Sequence, residues 1–500
     1  MRYLPTGKWM GAADAHTIQE IGIPSLVLME RAALGCLEVM KKEQVDLSHT
    51  LIVCGSGNNG GDGLVLARLL FEEGQRATVV FVGKRESRSE ECKRQMEILE
   101  KLQIPIYTEI PLSDFSHVVD AVFGVGLSRP VEGGYLEILR QMNEISAAKT
   151  AIDIPSGIDS ANGQVLGYAF AAELTISMQC EKIGSVLYPG CRYAGKTRVI
   201  PIGIDLSLFT QNPDICFTYE ERDIPLRLPM RAPDSHKGTY GKALVIAGSK
   251  GMSGAAYLCA SAAYAMGAGL VRIYTPEENR VVLQQLLPEA ILTTYQRFSE
   301  EEVQELLRWA DVVAIGPGIG QSELSAQILD VVLKNAKVPC VIDADGLNLL
   351  SQNDRIHFLN QLSERVILTP HMKEMERLLY DVDMRELKEQ RFKYLQEFVE
   401  KYPAVCVLKD TRTVVARRGS QMYVNTSGNA AMAKGGAGDV LTGVLLGLLA
   451  QKMEPFEAAC LGVYLHGTAG DLARDKKGAY GVLARDLVEA LAFCGKTEEA

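Results

Sequence analysis

Three absences narrow the sequence before any motif is read. There is no basic run of the kind that grips nucleic acid or an anionic lipid surface; 52 Lys and Arg face 62 Asp and Glu, for a formal net charge of −10. There is no CxxC pair. The 11 cysteines, an odd number, are scattered, and several lie in apolar stretches such as Val405-Cys406-Val407. That pattern reads as reduced, buried thiols and excludes a zinc site or a disulfide framework. There is also no long uninterrupted hydrophobic run. The most apolar segments, 255–271 and 440–450, are short or rich in Gly and Ala and read as buried helices rather than membrane spans. Residues 1–10 mix Arg2, Pro5 and Lys8 without an apolar centre, so no signal peptide is expected. The expectation is a cytoplasmic protein with neither a nucleic-acid partner nor a membrane attachment.

What is present is an ordinary globular composition, 47% hydrophobic and 23% charged, over 500 residues, too many for one hydrophobic core. Short β-branched runs at 51–54, 77–82, 117–122, 150–154 and 174–177 are predicted as buried strands. Segments with helical spacing, such as 63–73 and 90–102, separate them. The alternation fades over 205–236, where Pro213, Pro225, Pro229 and Pro233 punctuate the chain. It resumes with strands at 243–247, 270–274, 312–315, 340–342, 366–368 and 405–408, and closes with long helices after Gly438. No short internal repeat is found. The fold class expected is α/β in two domains, 1–210 and 228–500, joined by a linker at 211–227, each built on a parallel sheet covered on both faces.

The strand at 51–54 runs into Gly55-Ser56-Gly57-Asn58-Asn59-Gly60-Gly61-Asp62-Gly63. Gly55, Gly57 and Gly60 satisfy GxGxxG, a pattern that lets backbone N–H groups approach a pyrophosphate at a helix N-terminus. Alone it also describes a plain tight turn. A dehydrogenase needs an acid on the ribose about 20 positions on; here the next strand ends at Gly83-Lys84-Arg85, which weakens that reading. Two further strand ends carry chemistry: Asp120 followed by Gly124-Val125-Gly126-Leu127-Ser128-Arg129, and Asp153-Ile154-Pro155-Ser156-Gly157. Ligands of open α/β sheets bind outside the carboxyl ends of the strands, so the three loops should converge.

With Gly22-Ile23-Pro24-Ser25-Leu26-Val27-Leu28-Met29-Glu30, these loops resemble the NAD(P)H-hydrate epimerase domain, Rossmann-like in fold, over about 1–205. The resemblance implies that Asn58, Asn59, Gly60, Gly61 and Asp62 line the substrate. It extends that lining to Gly124, Val125, Gly126, Leu127, Ser128, Arg129 and Pro130, and to Asp153. It also implies a potassium ion held by Asn59, Asp120 and Ser156, an amide, carboxylate and hydroxyl set with little excess charge. Asp153 is the expected acid–base group of an epimerisation.

The second half places Gly248-Ser249-Lys250-Gly251, Gly316-Pro317-Gly318-Ile319-Gly320, Asp343-Ala344-Asp345 and Thr369-Pro370-His371 at successive strand ends. The richest stretch is Gly428-Asn429 followed by Lys434-Gly435-Gly436-Ala437-Gly438-Asp439. Glycines before a long helix expose N–H groups to a transferring phosphoryl group, and Asp439 beside them can take a proton from an attacking hydroxyl. As a plain helix cap, Asp439 would carry no chemistry. His371 is likewise a structural hydrogen-bonder or a substrate contact, the latter favoured by Thr369-Pro370 before it and Glu374 after it.

This half, about 228–493, is similar to the ribokinase-like fold and within it to ADP- or ATP-dependent NAD(P)H-hydrate dehydratase, through His236-Lys237-Gly238, Thr369-Pro370-His371 and Gly428-Asn429. The resemblance implies that Ala255, Gly318, His371 and Asp439 contact the hydrate. Lys409, Asp410, Thr411, Arg412, Thr413 and Gly438 then contact the adenine nucleotide, with magnesium. Two departures stand out: Asp410 where the family often has glycine, and Lys434 where a small hydroxyl residue is frequent. A homo-oligomer is expected, acting on NADH and NADPH hydrates with ADP, and ATP as the second choice of donor. The rival reading is a sugar or vitamin-alcohol kinase fused to a non-catalytic nucleotide-binding domain.

Overall fold

The computed structural model describes residues 1–494, so the last six residues of the expected second domain lie outside the described residues. The chain forms two compact units, Arg2–Phe217 and one running from Thr218 onward. The stretch expected as a linker is not bare. It carries a strand, Cys216–Thr218, a 3-10 turn, Glu221–Asp223, and a one-turn helix, Ile224–Arg227. Elements of three or four residues are too short to leave a hydrophobic period, which is why the sequence pattern reads as a gap.

The parallel sheet of the first unit is built from β1 (His49–Cys54), β2 (Arg76–Phe81), β3 (Ile106–Tyr107), β4 (His117–Ala121), β5 (Ala148–Ile152), β6 (Leu174–Met178) and β7 (Lys196–Ile200). They form one sheet in the order β3-β2-β1-β4-β5-β6-β7, every neighbouring pair parallel. Order reverses between β1 and β4, the place where the loops after both strands splay apart and leave a crevice. Apolar clusters on both faces account for the unbroken burial of β1 and β4. One gathers Leu28, Met29, Ile52, Leu64 and Leu66, the other Leu51, Val53, Val118, Leu139 and Phe170. Strands this completely enclosed read as continuous apolar runs. β3, two residues long, and β7, largely exposed at an edge, lack that signature and are not among the predicted strands.

The second unit is organised on β8 (Lys242–Ile246), β9 (Leu270–Pro276), β10 (Ile291–Tyr295), β11 (Val312–Ile315), β12 (Cys340–Ile342), β13 (Val366–Leu368), β14 (Val405–Leu408), β15 (Val414–Ala416) and β16 (Tyr423–Val424). Their order is β16-β15-β14-β13-β12-β11-β8-β9-β10. All are parallel except the pairs β14–β15 and β15–β16. Here the reversal lies between β8 and β11. The apolar segments of the sequence are the buried helices Ser253–Ala265 and Ala437–Ala450, packed together. Their small residues set the distance: a Cβ on Gly443 would lie 2.1 Å from the Cys259 carbonyl oxygen, so only glycine lets the backbones meet. Among the described residues no helix is long and apolar enough to cross a membrane. None of the 11 cysteines is in a disulfide, and nine of them are buried.

Candidate active sites

In the first unit, the loops after β1 and β4 meet so closely that a Cβ on Gly55 would fall 2.0 Å from the Val122 carbonyl oxygen. Gly60 in turn presses on the Gly55 carbonyl, and Gly61 on Met29. Their glycine is required by packing. Gly57 differs, since a Cβ there would meet no protein atom within 4 Å. The helix begins earlier than its spacing predicts, at Asn58 rather than Gly63, with Gly57 as its N-cap. Asn58 to Asp62 therefore form its first turns, where free N–H groups concentrate partial positive charge.

A cavity of 470 Å³ opens above this helix end. Asn58, Asn59, Asp62, Gly124, Val125, Gly126, Leu127, Ser128, Arg129 and Asp153 all line it; Gly60, Gly61 and Pro130 are not among the lining residues. Lys182 and Asp14 also line it, and neither was singled out in the sequence. Asp153 adopts φ +69°, a left-handed conformation uncommon outside glycine and typical of functional sites. Its Oδ1 accepts from the fully buried Lys182 ammonium and from the Met178 N–H at 3.0 Å. Lys182 also donates to the Met178 carbonyl at 3.0 Å. Burial first, then the charges of Asp153 and Asp14, hold the Asp62 carboxyl well above the ordinary carboxylate range. The cavity thus presents a carboxyl raised above the ordinary carboxylate range beside a buried carboxylate–ammonium pair.

Under the loop after β4, Asp120 is wholly buried. Its oxygens accept from the Ser156 hydroxyl at 2.7 Å, the Ser156 N–H at 2.7 Å and the Val122 N–H at 3.1 Å. The Ser156 oxygen accepts from the Phe123 N–H at 2.8 Å. Burial outweighs these donors and pushes the Asp120 carboxyl up to about 6. No cationic side chain pairs with it among the described residues. The Asn59 side chain lies against Gly124, and its buried amide nitrogen has no partner. Oxygen and nitrogen of an amide are interchangeable by a flip, so Asn59 can turn an acceptor toward the same spot. A carboxylate without a counter-ion, a hydroxyl and an unsatisfied amide fit a monovalent cation.

In the second unit the glycines at the reversal bring the expected residues together. Gly316, at φ +129°, lets its loop approach the Asp343 carbonyl, and Gly318, at φ +61°, lies against Ala255. Asp343, 1% exposed, accepts from Lys409 Nζ at 2.7 Å and from the Thr442 hydroxyl at 2.7 Å. Burial alone would raise its carboxyl; the Lys409 ammonium overrides that and holds it below the ordinary range. Gly438 faces this pair, with its Cβ position 3.6 Å from Lys409 Nζ. Asp439 occupies the first turn of Ala437–Ala450, but the cap is Gly436 at φ +94°, so the plain-cap reading of Asp439 does not hold. Burial, then the neighbouring Asp343 charge, push Asp439 up to about 6.

His371 caps the helix Met372–Leu379: its Nδ1 accepts from the Lys373 and Glu374 N–H groups at 3.1 and 3.2 Å. Nε2 is left outward, 3.4 Å from Glu374 Oε1. Both readings of this histidine are therefore compatible with one ring. Lys409 to Thr413 form the turn between β14 and β15. Asp410 accepts from the Arg391 guanidinium at 2.8 Å, Thr413 donates to the Asp410 carbonyl at 3.3 Å, and Arg412 donates to the Thr426 carbonyl at 3.3 Å, while Thr411 is exposed. Arg391 thus anchors the residue that departs from the family pattern. Lys434 donates to the Tyr480 carbonyl at 2.6 Å.

Residues 25–184 match the family described as YjeF-related protein N-terminus, and residues 243–492 match the family described as NAD(P)H-hydrate dehydratase. The bifunctional NAD(P)H-hydrate repair enzyme of Moorella thermoacetica is 34% identical over 98% of this chain and 96% of its own. That of Coxiella burnetii is 36% identical over 94% of both. A ribokinase-like superfamily protein from Enterococcus faecalis superposes with a TM-score of 0.50, at 31% identity, covering 55% of this chain and 94% of its own. The near full-length match to two-activity relatives favours a repair enzyme over a kinase with a passive partner domain, and the chain belongs to the bifunctional NAD(P)H-hydrate repair enzymes.

Proposed function

We propose that the first unit interconverts the R and S forms of hydrated NADH and NADPH, and that the second dehydrates the S form with ADP as phosphate donor. The observation that carries this reading is Asp439: a carboxylate at the mouth of a glycine-built helix N-terminus, tuned to about 6, beside the Lys409–Asp343 pair. A general base with a pKa near the working pH is effective.

The hydrate carries a hydroxyl on the carbon beside the ring nitrogen. Asp439 takes the proton of that hydroxyl as its oxygen attacks the terminal phosphorus of ADP, and AMP departs. The N–H groups around Gly438 and the Lys409 ammonium offset charge on the transferring group. The ring nitrogen's electron pair then expels phosphate, the C–O bond breaks, and loss of a proton from the adjacent ring carbon restores the dihydropyridine. Hydroxide is a poor leaving group and phosphate a good one, which is what the kinase-type site contributes. Ala255, Gly318 and His371 would contact the hydrate, and Lys409 to Thr413 with Gly438 the nucleotide. Magnesium would travel on the nucleotide phosphates, as such ions commonly do.

In the first unit the same carbon is a hemiaminal, so cleavage and reformation of its C–O or C–N bond inverts it. Asp62, its carboxyl raised by burial, and Asp153, oriented by Lys182, line one cavity and would serve as the acid–base groups of that cleavage. Asn59, Asp120 and Ser156 would hold potassium, which would supply the counter-charge that the buried Asp120 carboxylate lacks among the described residues. The test is incubation with both epimers, following recovery of dihydropyridine absorbance with and without ADP, ATP and magnesium. Accumulation of a stable phosphorylated product, in place of released inorganic phosphate, would make the second unit a kinase.

A further inference from the structure

The helical stretch Pro455–Gly481, broken at Gly478, contributes several long-range ties to the segment 427–437. The Asp471 carboxylate accepts from the Gly428 N–H at 2.9 Å and from the Asn429 side-chain amide at 2.8 Å. Asn429 uses its own oxygen to cap the next turn, accepting from the Ala431 N–H at 3.0 Å. The Tyr464 carbonyl accepts from the Ser427 hydroxyl at 2.9 Å, and the Tyr480 carbonyl takes Lys434. Two glycines of the helix make the contact possible. A Cβ on Gly467 would lie 2.2 Å from Ser427 Oγ, and one on Gly470 2.1 Å from the Met432 sulfur.

We infer that Asp471 is a positioning residue of the dehydratase: it grips the start of the Gly428–Gly438 segment and so sets where the N–H groups of that segment and Asp439 meet the nucleotide phosphates. This rests on the reading of Asp439 given above. An aspartate gripping a backbone N–H and an amide together fixes both distance and angle, whereas a single bond would leave the loop free to rotate. Misplacing such donors by about 1 Å costs on the order of 10²-fold in rate.

The test uses the full chain, with Asp471→Ala, which removes both acceptor oxygens, and Asp471→Asn, which keeps one. Steady-state dehydration is measured against ADP, with melting temperature and epimerisation as controls. We expect Asp471→Ala to lower kcat about 10- to 100-fold while epimerisation persists, and Asp471→Asn to recover part of the loss. Unchanged kcat in Asp471→Ala overturns the inference. So does recovery of melting temperature without any recovery of kcat in Asp471→Asn, which would make the carboxylate merely structural. If the unsubstituted chain itself fails to consume hydrate with ADP, the reading of Asp439 falls, and with it this one.

Discussion

Lys182 places a fully buried ammonium on Asp153 Oδ1 and leaves the carboxylate facing the cavity of the first unit. Removing one partner of such a pair strands the other charge in a low-dielectric setting, at a cost of about 3–5 kcal/mol. Lys182→Met should therefore lower the melting temperature of the first unit and slow epimerisation. A variant as stable and as active as the unsubstituted chain would show that the pair is ornamental; differential scanning calorimetry and epimer chromatography decide it.

The two sites should fail independently. Asp439→Asn keeps the side chain's shape but cannot accept the hydroxyl proton, and loss of a general base costs about 10²–10⁴ in rate. Dehydration should nearly vanish while the epimers still interconvert. Asp153→Asn should do the reverse, so that the S form is consumed and the R form persists apart from slow spontaneous exchange. Separating the epimers over time, with and without ADP, reads both. Loss of epimerisation in Asp439→Asn would mean that one site does both jobs.

The pH profile of dehydration follows from the Asp439 carboxyl. Its pKa is raised to about 6, and the reaction needs the deprotonated form. Activity as kcat/KM should be flat above that value and fall tenfold per pH unit below it. A limb near 4 would mean that neither burial nor Asp343 tunes this group in solution.

Potassium should stabilise the first unit, because Asp120 is a buried carboxylate with no cationic partner among the described residues. At equal ionic strength, KCl should raise the melting temperature relative to a choline salt, and Ser156→Ala or Asp120→Asn should abolish the increment. An equal increment in these variants would place any ion elsewhere.

As for the donor, ADP should outperform ATP at saturation of each, with magnesium required. Comparable or faster turnover with ATP would reverse that preference.

Much of this was legible from strand ends. Asp120 lies at the end of a short apolar run and Asp153, Gly318, His371 and Lys409 fall just beyond others, and parallel sheets gather such positions on one edge. Lys182 follows the end of β6 by four residues and obeys the same rule, yet a lysine is ordinarily solvated, and only tertiary packing reveals it as buried. The helix start at Asn58 was hidden by its own glycines, which argue against helix where the loop packing demands them. Asp471 lies in mid-helix, far in sequence from the loop it holds, and no local pattern marks it.

Gly57 offers a use of its own. A methyl group added there would touch no protein atom, so the fold would not register it. Whatever binds against that N-cap would. Gly57→Ala is then a gauge of clearance: a loss of affinity confined to pyrophosphate-bearing ligands, with shorter nicotinamide fragments unaffected, would locate the phosphates along the loop without a crystal of the complex.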